Sequence, residues 1–90
     1  MLLVLPNELT HSQAGPCLRM LVQGLRDHRE LDVVLDATGL DRFDSAALAV
    51  LLEARRESLA LGKRFSIRGL PQRLHDLANL YGIIELLPTA

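Results

Sequence analysis

The chain has 90 residues, of which 49% are hydrophobic, and its formal net charge is −1. This length indicates one domain, residues 1–90, and the apolar fraction is sufficient for a packed core. The near-neutral charge argues against nucleic-acid binding, because proteins that bind nucleic acid carry a basic surface. With no Trp, one Tyr and two Phe, the chain also lacks a platform on which bases could stack.

The composition also bears on the compartment. A single cysteine excludes an internal disulfide, which fits a reducing environment. No segment approaches the roughly 20 apolar residues of a membrane-spanning helix, so we expect no direct insertion into a membrane. If the protein works at a membrane, another protein must hold it there.

The first half of the chain predicts a strand, a helix and a second strand. Leu2 to Leu5 is a short apolar run that ends at Pro6, which is typical of a buried strand. Helical spacing follows, with Ser12 as a candidate N-cap. The apolar positions of this helix are Leu18, Leu21, Val22 and Leu25. The β-branched centre of the segment from Leu31 to Ala37 then predicts a central strand.

The second half repeats the alternation. The segment from Ser45 to Leu61 predicts the most apolar helix, and the period-two pattern from Arg64 to Arg68 predicts a strand. A third helix follows Pro71 and ends at Gly82. The apolar tail from Ile83 to Pro88 is expected to cover either the edge of the core or a partner. The order β-α-β-α-β-α predicts an α/β fold in which helices pack on a small mixed sheet.

This pattern also predicts which side chains form the core. We expect eight apolar residues, which belong to five of the predicted elements, to be buried. They are Leu21, Leu25, Val34, Leu48, Leu52, Phe65, Ile67 and Leu77.

No motif for catalysis or for a cofactor is present. No glycines form a G-x-x-x-x-G-K-[ST] or G-x-G-x-x-G phosphate-binding loop, and no serine lies in G-x-S-x-G. The histidines His11, His28 and His75 are far apart in sequence, and Cys17 has no partner at metal-ligand spacing. We therefore predict a protein without catalytic residues, cofactor or metal.

The most informative segment is the loop that precedes the second helix. It carries Asp36, Thr38, Asp41, Asp44 and Ser45. Asp and Ser are good N-caps, so a cap accounts for one of these groups. The loop also joins the carboxyl end of a strand to the amino end of a helix, where open α/β sheets bind other molecules. The residues thus leave both a helix cap and a binding site open for Asp44-Ser45.

This segment carries a resemblance to a known family. "VVLDATGLDRFDSAALAVLL" resembles the STAS domain of anti-sigma-factor antagonists, in which an apolar strand ends in Asp and a hydroxyl residue. In that family the strand is followed by a short loop, then by Asp-Ser or Asp-Thr, then by two small residues and an apolar helix. The likeness is good from Leu31 to Leu87 and looser before it. The family often has Gly where this chain has Ala47.

Within the family, the short first region and the ending "RLHDLANLYGIIELLP" are similar to MlaB-type STAS subunits. The resemblance implies a non-enzymatic, cytoplasmic subunit, peripheral at the inner membrane. It would bind the ATPase subunit (MlaF-like) of a phospholipid ABC transporter that maintains outer-membrane lipid asymmetry, and through it the permease complex. Self-association stays open. The implied partner-binding residues are Asp41, Arg42, Asp44 and Ser45, and the implied loop-shaping residues are Asp36 and Thr38.

Two other functions are considered. An anti-sigma-factor antagonist would use Ser45 as a phosphoacceptor, because a phosphate of about −1.5 to −2 charge would break a partner contact. A small enzyme using Ser45 or Cys17 is disfavoured by the absence of any catalytic motif.

Overall fold

A computed structural model describes all residues from Met1 to Ala90. The fold is α/β, as the sequence predicts, with three α-helices beside a three-stranded sheet. The elements in chain order are β1 (Leu2–Val4), β2 (Glu8–Leu9), α1 (His11–Asp27), β3 (Asp32–Asp36), β4 (Arg42–Phe43), α2 (Ala46–Ala60), β5 (Arg64–Arg68), α3 (Gln72–Leu80) and a final 3₁₀ turn (Ile84–Leu86).

The main sheet has the strand order β1-β3-β5, and both strand pairs are parallel. The sheet is therefore parallel, whereas a mixed sheet was expected. Each crossover carries the chain one strand further in the same direction. Because such crossovers are right-handed, α1 and α2 lie on the same face of the sheet.

Burial along the strands agrees with a sheet that helices cover on one face. Val33 and Leu35 of β3 are buried with Phe65 and Ile67 of β5, while the residues between them are not. Val34 was expected in the core, but it is only half-buried. It lies on the helix-free face, because side chains alternate along a strand.

Helix α2 has six buried residues, more than either of the other two helices. Its core stripe runs along residues spaced three and four apart, as expected for one helical face. That stripe consists of Ala47, Leu51, Ala54 and Ser58. Leu48 is also buried, as predicted, but Leu52 lies one position beyond the stripe and is half-buried. Leu77 is half-buried for the same reason, since α3 buries Leu74 and Ala78.

Two further strands, β2 and β4, form a separate parallel pair. In their register Glu8 lies opposite Arg42, and Leu9 lies opposite Phe43. The backbone carbonyl of Asn7 accepts from the amides of residues 41 and 42, at 2.8 and 3.0 Å. This pair was not predicted. It fixes the loop before α2 to the segment that precedes α1.

The start of α1 also differs from the expectation. Thr10, and not Ser12, is the N-cap. Its backbone amide donates to the side-chain oxygen Oε1 of Gln13 at 2.9 Å. The helix therefore begins next to β2, which brings its first turn close to the loop that ends in β4.

The carboxyl-terminal tail covers the core. Leu87 is 4% exposed, and Ile83 and Ile84 pack against the buried cluster. A single parallel bridge joins Thr89 to Ile67 beside β5. Of the two alternatives for this tail, the structure shows the one in which it closes the core. None of the helices combines the length and the apolar character that a bilayer-spanning helix requires.

Candidate functional site

The residues singled out in the sequence lie at the carboxyl end of the sheet. Strand β3 ends at Asp36, the chain turns through residues 37–41, and α2 begins at Ala46. Ala37 and Leu40 are buried in this loop and hold it on the core. The polar side chains between them and α2 therefore project from a fixed backbone.

Asp36 and Thr38 form a turn of their own. The Asp36 carboxylate accepts the Thr38 amide at 3.0 Å and also accepts the Thr38 hydroxyl. Its second oxygen accepts from Arg68 at 3.2 Å across the strand pair. The Thr38 hydrogen bonds, followed by Arg68, hold the pKa of Asp36 below its usual value. The carboxylate is thus occupied by the loop itself.

Gly69 lies directly beside this turn. Its φ is +70°, and a Cβ built there would lie 2.5 Å from the Thr38 hydroxyl oxygen and 3.0 Å from the Thr38 Cα. The turn after β5 can therefore approach the turn after β3 only with glycine at position 69. The glycine completes the support of the loop. The sequence indicates a turn at Gly69 but carries no signal for its contact with Thr38.

Asp44 holds the amino ends of two helices. One carboxylate oxygen accepts the Ala46 amide of α2 at 2.8 Å. The other accepts the amide of His11, the first residue of α1, at 3.1 Å. Both amides belong to the first helical turn, where backbone N–H groups have no partner within the helix. A single carboxylate therefore stabilises both helices and sets their relative position.

Replacing Asp44 with alanine should lower the free energy of unfolding by about 2 kcal/mol, because two helices lose a hydrogen-bonded cap. The Tm should fall by about 10 °C for a domain of this size. Asp41→Ala is the matched control. Asp41 is exposed on the same loop and makes no side-chain hydrogen bond or ion pair, so its Tm should stay near the wild-type value. Thermal melts that show equal losses for both variants would contradict the capping role of Asp44.

Ser45 does not cap the helix. It is exposed, its backbone is already helical at φ −61° and ψ −18°, and its side chain makes no capping hydrogen bond. The neighbouring Asp44 carboxylate caps the helix instead. The Ser45 hydroxyl is therefore free to meet another molecule. No side chain bonds to this hydroxyl, so no general base activates it as a nucleophile.

Asp41 and Arg42 flank Ser45 on the surface. Both are exposed, and neither makes an ion pair within the chain. The structure thus gathers Asp41, Arg42 and Ser45 as unengaged polar groups, and it places Asp44 beside them with its carboxylate committed to the helix ends. Asp36 and Thr38 lie at the start of the loop, next to Arg68 and Gly69.

Two shallow concavities adjoin this surface. One, of about 330 Å³, lies between α1 and α2 and is lined by Ala14, Gly15, Leu18, Ala49, Val50 and Glu53. The other, of about 260 Å³, has Phe43, Asp44 and Arg73 among its lining residues. The Arg73 guanidinium lies 5.1 Å from the centre of the Phe43 ring, within the range of a cation–π contact. Nothing in the sequence pattern indicated that Arg73 and the loop meet.

Cys17 lies away from this surface, inside the core. It is 5% exposed, and burial raises the pKa of its thiol. A raised pKa lowers the fraction of thiolate, which is the nucleophilic form of cysteine. The geometry therefore does not favour the hypothesis of an enzyme that uses Cys17.

Comparison with protein families accounts for this arrangement. The family described as "Mlab, STAS domain" matches residues 1–88. The chain belongs to this STAS-domain family. STAS domains are generally regulatory or accessory rather than catalytic. No curated protein matches the chain.

Solved STAS structures show the same fold at low sequence identity. A protein from Thermotoga maritima, assigned as an anti-sigma factor antagonist, is 15% identical, with a TM-score of 0.80 over 98% of this chain and 77% of its own. An anti-sigma-factor antagonist (STAS) domain protein from Planctomyces limnophilus is 13% identical, with a TM-score of 0.80 over 98% and 79%. A sulfate transporter family protein from Wolinella succinogenes is 19% identical, with a TM-score of 0.73 over 96% and 69%.

The family often has glycine where this chain has Ala47, and the position of Ala47 in the fold explains this difference. Ala47 is fully buried in the stripe of α2 that faces the core. A partner cannot reach its side chain, whereas Ser45 and Ala49 are exposed on the same helix end. The replacement of glycine at this position therefore leaves the exposed surface unchanged.

Proposed function

We propose that the protein is a non-enzymatic, MlaB-like accessory subunit that binds the ATPase subunit of an inner-membrane phospholipid ABC transporter. The match of residues 1–88 to the MlaB-type STAS family carries the proposal. Through the ATPase it joins the permease complex and supports the transport that maintains outer-membrane lipid asymmetry. It resides in the cytoplasm, at the inner membrane through this partner.

The docking surface is the loop around Ser45 together with the first two turns of α2. Asp41, Arg42 and Ser45 supply polar groups that make no ion pair or capping bond of their own. Ala49, one turn further along α2, is exposed and small. A partner can therefore approach the helix backbone closely beside the groove between α1 and α2.

Rigidity of this surface supports a binding role. The Asp44 carboxylate fixes both helix amino ends, and the Asp36–Thr38 turn fixes the start of the loop. A surface that is ordered before it binds loses little conformational entropy on association. The contacts within the loop thus prepare the exposed groups for a partner.

Co-purification tests the proposal. The tagged full chain is co-expressed with the ATPase subunit of the phospholipid transporter from the same organism, and we expect a stable complex with equal amounts of the two proteins. The ATPase of an unrelated ABC importer is the control and should not co-purify. Failure to capture the transporter ATPase, with the chain folded by circular dichroism, would refute the proposal.

A second function has specific support. A neighbouring fold is assigned as an anti-sigma factor antagonist, and the exposed, unbonded hydroxyl of Ser45 is accessible to a kinase. In this alternative a kinase phosphorylates Ser45 and the added charge releases the partner. Capture of an anti-sigma kinase in place of the ATPase, with phosphate on Ser45 by mass spectrometry, would favour it.

A further inference from the structure

The edge of the sheet at β1 is uncovered. Strand order places β1 beside β3 on one side and beside no strand on the other. The Met1 carbonyl accepts from Val34 at 2.9 Å, and the Leu5 amide donates to Asp36 at 3.0 Å. Because strand residues alternate, the backbone N–H and C=O groups of Leu2 and Val4 point to the open edge.

The side chains of the same two residues are also without partners. Leu2 is 50% exposed and Val4 is 59% exposed, and both lie on the helix-free face. Exposed strand edges in natural proteins are usually protected by a charge, a proline or a bulge. Leu2–Val4 carries none of these.

Helix α1 extends this uncovered surface above the strand. A Cβ at Gly24 would lie 3.0 Å from a methyl group of Leu3, so α1 lies closely over β1. Pro16 and Met20 of α1 line a concavity of about 300 Å³ with Pro6, which lies two residues after the end of β1. Met20 is 54% exposed. The edge therefore combines free backbone groups with apolar side chains from both layers.

We propose that this edge pairs with the same edge of a second copy of the chain. A twofold axis perpendicular to the sheet, midway between the Leu3 residues of the two copies, sets Leu2 opposite Val4 of the other copy in an antiparallel pair. The outward N–H of each of these residues then donates to the C=O of the residue opposite, and its own C=O accepts from that residue's N–H. The two sheets become one, and the two α1 helices lie side by side on the same face.

Charge and symmetry favour a second copy as the occupant. The net charge of −1 gives two copies almost no mutual repulsion. The aliphatic side chains of Leu2 and Val4 meet across the strands, which is a favourable cross-strand pair. Antiparallel pairing also places the two Ser45 loops at opposite ends of the dimer, so that both stay available to a partner.

The contact is small, so the dimer is weak. Three strand residues and two turns of helix bury less than the roughly 1,200 Å² of a standard interface. We therefore expect weak, concentration-dependent dimerisation, as for other interfaces at the low end of the size range. This inference stands independently of the proposed transporter role.

Sedimentation velocity of the full chain over a concentration series tests the pairing. The sedimentation coefficient should rise with concentration for the wild type. Val4→Lys should raise the dissociation constant at least about tenfold, because it replaces the aliphatic side chain that pairs with Leu2 across the strands, and a charged lysine at a strand edge opposes pairing. Leu80→Lys, at a side chain that is 77% exposed on α3, is the matched control and should dimerise as the wild type does.

Amide hydrogen exchange locates the interface. The amides of Leu2 and Val4 should be about tenfold more protected when about nine-tenths of the chains are dimeric, since exchange then proceeds through the monomer. The Leu5 amide, bonded within the chain, should be protected at every concentration. A monomer at all concentrations, a dimer unchanged by Val4→Lys, or dimerisation without protection of Leu2 and Val4 would overturn the proposal. Protection that appears only when the ATPase subunit is added would assign the edge to that partner and would also overturn it.

Discussion

Replacement of Gly69 by alanine should lower the free energy of unfolding by about 3 kcal/mol, which corresponds to a fall in Tm of about 15 °C. Two separate costs add at this position. At φ +70° an L side chain is strained, which costs about 1–2 kcal/mol. The new Cβ would also lie 2.5 Å from the Thr38 hydroxyl oxygen and 3.0 Å from the Thr38 Cα. The backbone contact means that a rotation of the Thr38 side chain cannot relieve the clash.

The same substitution at Gly62 measures the conformational cost without the steric one. Its φ is +73°, and nothing lies within 4 Å of the position that a Cβ would occupy. Gly62→Ala should therefore lose only the conformational part, about 1 kcal/mol. Thermal and urea melts of both variants measure the difference. If Gly62→Ala and Gly69→Ala lose the same stability, the close approach of the Thr38 turn does not constrain the fold.

The sequence predicted the helices and the main strands well, because their signals are local. The bounds of α2, Ala46–Ala60, lie within one residue of those predicted, and β5 has the predicted bounds Arg64–Arg68. β5 alternates polar and apolar residues at period two, so its buried face leaves its pattern in the sequence. α2 is indicated instead by a long apolar run that begins after Asp44-Ser45 and ends before Gly62.

The two-residue strands β2 and β4 could not be predicted in this way. Glu8–Leu9 and Arg42–Phe43 are too short to show a period, and their pairing joins segments more than thirty residues apart.

The burial of Lys63 was equally impossible to predict from local sequence. This residue follows α2 as a charged residue, but its ammonium group is buried and donates to the carbonyls of His28 and Glu30 at 2.8 and 2.6 Å. Only the packed structure supplies those acceptors.

The candidate site was predicted at the level of the loop, but not at the level of individual atoms. The pattern of residues left both a cap and a binding group open for Asp44-Ser45. The structure shows that Asp44 is the cap and that the Ser45 side chain makes no capping hydrogen bond. Asp44 caps, because the amino end of α1 meets it from a distant part of the chain. Ser45 is therefore free, and this consequence of tertiary packing has no local signal.

Because Ser45 bonds to nothing in the chain, its substitutions should separate binding from stability. Ser45→Ala should change the free energy of unfolding by no more than about 0.5 kcal/mol, since no cap is lost. Ser45→Glu should fold as well, because an acidic side chain at the amino end of α2 interacts favourably with the helix dipole. Neither change should disturb the Asp44 hydrogen bonds to Ala46 and His11.

Binding to the ATPase subunit should respond differently to the two changes. Ser45→Ala removes only a hydroxyl from the proposed interface and should bind almost as the wild type does. Ser45→Glu would bury an unpaired carboxylate against the partner, which should cost about 2–5 kcal/mol of binding free energy, or roughly 30- to 5,000-fold in Kd. Titration calorimetry with the purified ATPase subunit measures both constants.

Ala60→Glu is the matched control for the added charge. Ala60 is exposed at the opposite end of α2 from Ser45. The same carboxylate placed there should leave the Kd unchanged, although it lies at the less favourable end of the helix dipole. A weakening by Ala60→Glu as large as that by Ser45→Glu would mean that long-range repulsion, and not contact, sets the affinity. Folded Ser45→Glu protein that binds with wild-type affinity would place Ser45 outside the interface, even if the ATPase subunit is the partner.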